Sequence, residues 1–317
     1  MTVALPAAGP PAPGVHLSAP VSGQRHEMGS PVGRLTYFSA GPETDGSTPP
    51  LLLIHSINAA GSAYEIKPLY EYYRQSRTVY ALELPGFGHS ERGKREYTVR
   101  MMTDAILLAV REIQDVHGRG PIDALAVSLS SEFIARAVME TPLKFRSLAL
   151  VSPTGFSRKA AAAKWRNGTR GMPWLHALLE FPLWSKALFR LLTSRASIRY
   201  FLRKTWGSSA IDEGLAEYDY LTTHQPGAQH APYYFVSGFL FSQDIMRVYH
   251  SLTLPVWMSH GIRGDFIDYR NETEVAGRAN WTIHVFPTGA MPHFEAMTAF
   301  VQAYDAFLAR VPRASAA

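Results

Sequence analysis

The chain has 317 residues, of which 46% are hydrophobic and 18% charged, with a formal net charge of +5 and an isoelectric point near 9.3. That length and apolar content support one large domain with a full core, and the absence of cysteine excludes disulfides and thiolate metal sites. No stretch approaches 18 consecutive apolar residues, so no membrane-spanning helix is expected, and the basic charge comes with no recognised nucleic-acid motif, so neither is a nucleic-acid partner.

The opening residues, "MTVALPAAGPPAPG", lack a basic leader and are interrupted by proline and glycine. They read as part of a disordered Ala/Pro/Gly-rich extension over residues 1–30 and not as a signal peptide, which leaves the cytoplasm as the default location. Short β-rich runs follow at Leu51–His55, Thr78–Leu82, Ile122–Val127, Ser147–Ser152, Pro255–His260 and Thr282–Phe286. Helical spacing separates them, as over Tyr97–Val116 and Ser130–Met139. This alternation predicts an α/β fold, a mostly parallel sheet with helices on both faces. Between about Gly155 and His250 the pattern breaks into helical stretches without a convincing strand, so residues 155–250 are expected to form an inserted helical lid on a core of 31–154 and 251–317.

Six stretches carry a resemblance: "LLLIHSINAAGSAYE", "LELPGFGHSE", "DALAVSLSSEF", "LALVSPTGF", "LPVWMSHGIRGDF" and "TGAMPHFE". In their order and spacing the chain, from about residue 30 to its C-terminus, resembles the α/β-hydrolase fold superfamily, in its serine-nucleophile branch with a helical lid. The superfamily hosts esterases, lactonases, carbon–carbon hydrolases, lyases and non-enzymatic receptors, so the resemblance specifies a fold more closely than a substrate.

The resemblance implies a set of site residues. The strand-to-helix elbow, usually Gly-x-Ser-x-Gly, is Ala126-Val127-Ser128-Leu129-Ser130 here. Its small flanking residues keep the tight turn feasible and make Ser128 the expected nucleophile; the competing reading is a serine that merely caps the following helix. The oxyanion donors are expected to be the backbone N–H groups of Ile57 and Leu129. Asn58 beside them reads first as a turn former and second as a side-chain donor. The acid expected after the strand "PVWMSH" is Asp265, with Asp268 as rival. The Arg263-Gly264-Asp265 tripeptide lies inside that motif, which gives an adhesion reading little weight. The usual base position holds Ala290, and His293 three residues later is the candidate displaced base. Loss of the base stands beside displacement as an equal reading. His55 and His89 fall where the superfamily carries structural loop residues, and His224, His230 and His250 are scattered through the expected lid.

Between Arg158 and Lys204 eleven Lys or Arg stand against one acid, Glu180. Arg195, Arg199 and Arg203 share one helical stripe, which reads either as a solvated face or as attraction for an anionic substrate, a membrane surface or an acidic carrier protein. Phe181, Trp184, Phe189, Tyr233, Tyr234, Phe235, Phe239 and Phe241 suggest an aromatic-lined pocket. The expected function is a serine-dependent hydrolase or acyl-transfer enzyme acting on a bulky apolar ester or lactone, with an anionic substrate as an option. A non-hydrolytic member of the fold, whether lyase, cyclase or ligand-binding scaffold, is the alternative. No metal or organic cofactor is implied, and serine at the elbow argues against the carboxylate chemistry of dehalogenases and epoxide hydrolases. The sequence gives no oligomeric state.

Overall fold

The computed structural model describes residues 16–42, 48–157, 168–266 and 268–312. Eight strands form one sheet: β1 (Gln24–Met28), β2 (Leu35–Ala40), β3 (Leu51–Ile54), β4 (Val79–Glu83), β5 (Ile122–Val127), β6 (Phe145–Val151), β7 (Val256–Gly261) and β8 (Trp281–Phe286). Their spatial order is β1-β2-β4-β3-β5-β6-β7-β8. The pairs from β4 to β8 are all parallel, whereas β1 and β2 join antiparallel at one edge.

Alternation along the parallel strands decides which layer each side chain enters. Leu52, Ile54, Ala124, Ala126, Leu148, Leu150, Val256 and Met258 belong to one buried cluster; their neighbours Leu51, Leu53, Leu125, Val127, Ala149, Val151 and Trp257 belong to the other. Helices α1 (Lys67–Tyr73) and α2 (Val99–His117) cover opposite faces, since Leu69 and Tyr70 join the second cluster while Met102, Ile106 and Val110 join the first. Helix α3 (Ser130–Glu140) adds Phe133 and Ile134 to the first cluster. Thr98 caps α2 by accepting from the Met101 N–H at 3.1 Å.

Between β6 and β7 the described residues form α4 (Pro173–Leu179), α5 (Ser185–Leu192), α6 (Arg195–Trp206), α7 (Glu213–Thr223), α8 (His230–Val236) and α9 (Ile245–Ser251), with only an isolated bridge, Thr169 to Ser242, of β character. Ile245, Met246, Val248 and Tyr249 pack into the main core cluster, so α9 is part of the sheet's own covering layer. The short α10 (Thr273–Ala276), α11 (Pro292–Glu295) and the C-terminal α12 (Met297–Leu308) complete the chain. Phe300 and Tyr304 of α12 pack on Trp257, with ring centroids 5.0 and 5.2 Å away.

The main departure from expectation lies at the N-terminus. Residues 1–15 are outside the described residues, but Gln24–Met28, inside the segment expected as a disordered extension, is β1. Its sequence QRHEM is mostly solvent-facing on an antiparallel edge, so it carries no apolar run to announce it. β2 was also unforeseen, although Leu35, Thr36, Tyr37 and Phe38 are buried.

Candidate active site

A cavity of about 460 Å³ opens at the C-terminal ends of the parallel strands, where ligands of open α/β sheets bind. Its floor is made of Ser56, Ile57 and Asn58 after β3, Ser128 and Leu129 after β5, Ser152–Phe156 after β6, Asp265, Phe266, Asp268 and Tyr269 after β7, and Ala290 and Met291 after β8. Leu202 and Thr205 of α6, Leu215 of α7, and Phe235 and Phe241 roof it. Of the eight lid aromatics expected in the pocket only those last two line it. Phe181 and Trp184 face outward, while Phe189 and Tyr233 fill a satellite cluster with Leu179.

Ser128 occupies the turn between β5 and α3 with φ 55, one of two non-glycine residues with positive φ among the described residues. Such a conformation costs about 1 kcal/mol or more for an L-residue and persists only where the surroundings impose it. Here the Ser128 N–H donates to the Val151 carbonyl at 2.8 Å, and the Ser130 hydroxyl donates to the His55 carbonyl at 2.6 Å. Ser130 therefore anchors the start of α3 from a position where glycine is usual. Ser128 does not cap α3, whose N-cap is Leu129.

Ile57 and Leu129 are both buried against the cavity, and their backbone N–H groups donate to no acceptor among the described residues. Buried backbone donors are almost always satisfied, so two unspent ones facing the same cavity are exceptional. The Ile57 loop is held by Glu65, a buried residue that the sequence reading passed over. One carboxylate oxygen accepts from the Ser56 N–H at 2.7 Å and the other from Asn58 Nδ2 at 2.6 Å, clamping the residues on either side of Ile57. Asn58 Oδ1 in turn accepts from the Ala60 N–H at 2.6 Å, so Asn58 is a turn residue with its side chain spent on the loop. His55 lies beneath: Nδ1–H donates to the Ser56 carbonyl at 2.6 Å and Nε2 accepts from the Leu84 N–H at 3.1 Å. Burial pushes its pKa down, which keeps the ring neutral in that arrangement. His89 bridges Glu83 at 3.0 Å and the Leu17 carbonyl at 3.2 Å, also away from the cavity.

The structure does not bring His293 to Ser128. His293 is fully buried in α11, off the cavity wall, and its Nε2–H donates to the Glu65 carbonyl at 2.7 Å. Its other nitrogen has no hydrogen-bond partner, and burial lowers its pKa to about 4. The displacement reading is thereby corrected. Pro292 starts α11 directly after Met291, so the ring, three residues beyond Ala290, turns inward against the Glu65 carbonyl. Ala290 itself lines the cavity; its N–H donates to the Thr205 carbonyl at 2.9 Å, and its carbonyl accepts from the Ser152 hydroxyl at 2.6 Å. No histidine is among the described residues lining the cavity.

Asp265 lines the cavity but turns to solvent, where it pairs with Lys204. Its N–H donates to the Lys204 carbonyl at 3.0 Å. The C-terminal end of α6 thus bonds both the loop after β7 and the loop after β8, one carbonyl accepting from Asp265 and the next from Ala290, and the two loops also meet directly where the Ile262 N–H donates to the Thr288 carbonyl at 2.9 Å. A Cβ on Gly289 would come within 2.4 Å of the Trp206 carbonyl, and one on Gly264 within 2.5 Å of the Lys204 carbonyl, so both glycines are required by that close approach. Asp268 accepts from Arg270 at 2.8 Å. Arg263 pairs with Glu295 at 2.5 Å, which folds the Arg-Gly-Asp tripeptide into the site loop.

Two further polar residues shape the wall. Arg170 lines the cavity beside Phe241, its guanidinium carbon 5.7 Å from the ring centroid, and its buried Nε and Nη2 have no hydrogen-bond partner. Glu132, one turn after Ser128, is buried and bonds Thr154 at 2.6 Å and the Ser242 N–H at 2.8 Å; burial raises its pKa. By contrast Arg195 and Arg199, two members of the expected basic stripe, pair with Glu217 and Glu213 of α7 at the half-exposed surface. Among the described residues no cluster of three or more His, Cys, Asp or Glu side chains could hold a metal ion.

Residues 49–232 match the model of the alpha/beta hydrolase fold family. The chain belongs to that family. Among solved structures the fold is similar to that of a serine hydrolase involved in carbazole degradation (TM-score 0.69, 13% identity, covering 91% of this chain and 99% of that one). It is also similar to 2-hydroxy-6-oxo-6-phenylhexa-2,4-dienoate hydrolase from a Rhodococcus strain (TM-score 0.67, 17% identity, 90% and 99%) and to a carboxylesterase from Bacillus subtilis (TM-score 0.63, 14% identity, 91% and 92%). At such identities the likeness establishes the fold alone. No curated protein sequence matches this α/β-hydrolase chain.

Proposed function

We propose that this α/β-hydrolase acts on a bulky apolar ester or lactone through Ser128, with the Ile57 and Leu129 N–H groups receiving the carbonyl oxygen and no imidazole base in the site. The observation that carries the reading is the strained serine beside two unspent buried donors in a cavity of about 460 Å³. Attack forms the Ser128 Oγ–carbonyl bond, the oxyanion rests on the two N–H groups, and the departing ester oxygen takes the serine proton as its bond to the carbonyl breaks. Water then cleaves the acyl-enzyme, or an alcohol accepts the acyl group. Oxyanion donors and binding alone sustain about 10³–10⁴-fold over water when triad members are removed from other hydrolases, so slow turnover of an activated ester is the expected regime. Arg170, with two unsatisfied nitrogens, favours substrates that carry a carboxylate away from the reacting carbonyl.

Ala290 and the inward-turned His293 also support a second reading, a non-hydrolytic member of the fold in which the same donors polarise a carbonyl without acyl transfer. A fluorophosphonate probe and a p-nitrophenyl ester separate the two. Under the first reading the wild-type protein is labelled slowly and gives acyl-enzyme, and Ser128→Ala loses both while keeping its melting temperature. A wild-type protein that neither label nor ester modifies, or a Ser128→Ala variant that still labels, contradicts it.

A further inference from the structure

Helices α4, α5 and α6 present an apolar surface outward, at odds with their place on the outside of the molecule. Of the eighteen large apolar side chains exposed among the described residues, ten fall between Met172 and Phe201. Trp174 is 67% exposed, Leu183 84% and Leu191 69%, values expected of lysine and not of tryptophan or leucine. The patch is continuous along α4 and the turn into α5. Trp174 and Leu178 are one helical turn apart, Trp184 Nε1 donates to the Leu178 carbonyl at 2.9 Å, and the rings of Phe181 and Trp184 lie 4.4 Å apart. Concentrated apolar exposure of this kind marks an interaction surface.

Charge indicates what covers it. Lys186 and Arg190 share a stripe of α5, Arg203 stands on α6, all three are exposed, and none forms an ion pair among the described residues. The segment's one acid, Glu180, is engaged with His230 at 3.0 Å. A face of Trp, Phe and Leu bordered by unpaired cations suits the boundary between acyl chains and anionic headgroups, into which such a helix sinks its apolar side.

We infer that the α4–α6 face docks on an anionic lipid surface. The surface runs directly into the cavity: Phe201 is exposed while its neighbour Leu202 roofs the site, and the half-exposed Phe266 is both outer surface and cavity wall. Docking would therefore present the cavity mouth to lipid, where a bulky apolar ester partitions. This deepens the proposed substrate class and rests on it only for that last step.

Sedimentation with lipid vesicles tests the docking without turnover, using phosphatidylcholine alone or with one third phosphatidylglycerol. At low salt the wild-type and Ser128→Ala proteins are expected to bind the anionic vesicles roughly tenfold more than the neutral ones, and high salt should remove most of the difference. Trp174→Ser/Leu183→Ser/Leu191→Ser should lose binding to both, and Lys186→Glu/Arg190→Glu should lose the anionic preference, each with wild-type circular dichroism. Failure of the wild-type protein to bind anionic vesicles at low salt overturns the inference, as does undiminished binding by a folded triple variant. Concentration-dependent self-association that the triple variant abolishes, without vesicle binding, would assign the face to a second copy of the chain. Because Ser128→Ala is in the set, loss of Ser128 chemistry and loss of docking are read separately.

Discussion

At the scale of single residues, the proposed chemistry turns on what lies within reach of Ser128. The elbow was legible because a small-x-Ser-x-small pattern between a strand and a helix has few other uses, and the chain keeps the turn with Ala126 and Ser130 in place of glycine. The positions of Ile57 and Leu129 at the cavity followed from loop position. Glu65 and Arg170 were not legible. A carboxylate that spends itself on backbone N–H groups and a guanidinium that meets a cavity wall show no periodicity or spacing, and only the folded chain reveals their burial. His293 misled because sequence distance does not report which side of a helix start a ring faces. Its inward placement has a measurable consequence. The folded pKa of about 4 lies below the ordinary value of 6.5, so between those pH values the unfolded chain binds the extra proton and stability is lost as pH falls through that window. His293→Gln keeps a donor for the Glu65 carbonyl and removes the titration. Urea unfolding of the variant should lose roughly 2 kcal/mol less than wild type between pH 7 and pH 4.5, at up to about 1.4 kcal/mol per pH unit. Parallel pH profiles would show that the His293 ring takes up its proton equally in the folded and unfolded chain, contrary to its burial.

At the scale of elements, α6 does the most to set the site. Ile198, Leu202 and Trp206 pack on Leu215 and Ala216 of α7, and its C-terminal carbonyls reach the loops bearing Asp265 and Ala290. The arginines on its outer stripe contribute less. The Arg195–Glu217 and Arg199–Glu213 partners are all about half exposed, and such pairs stabilise by about 0–1 kcal/mol each. Replacing both arginines with alanine should shift the urea midpoint little, whereas Trp206→Ala should cost about 3–5 kcal/mol. The reverse ranking would mean that charge and not packing joins α6 to α7. Helical character in this region was readable from residue types, but the pairing of α6 with α7 was not, because the carboxylates that meet the arginines lie about fourteen to twenty-two residues further along the chain.

At the scale of the whole molecule, the parallel sheet was readable strand by strand, because buried parallel strands are apolar on both faces and are separated by helices of regular period. The six strands expected from β-rich runs are β3 to β8, within two residues at each end. The antiparallel pair β1–β2 escaped for the opposite reason: its outer strand faces water and reads as loop. The assembled molecule carries a strained serine turn beside two unspent backbone donors, and the end of α6 bonds the loops bearing Asp265 and Ala290, which also meet each other directly through the Thr288 carbonyl. If the site lacks only its imidazole, supplying one at the usual position should restore reactivity, and removing His293 should not matter. The decisive measurement is the rate of fluorophosphonate labelling of the wild type, Ala290→His and His293→Ala, the first variant also with Lys204→Ala to release Asp265. Ala290→His is predicted to raise labelling about 10²-fold or more, the typical contribution of a general base, with a further gain when Lys204 is removed, while His293→Ala labels at the wild-type rate. A His293→Ala variant that loses labelling, together with an Ala290→His variant that gains none, would contradict the account and return the base to His293.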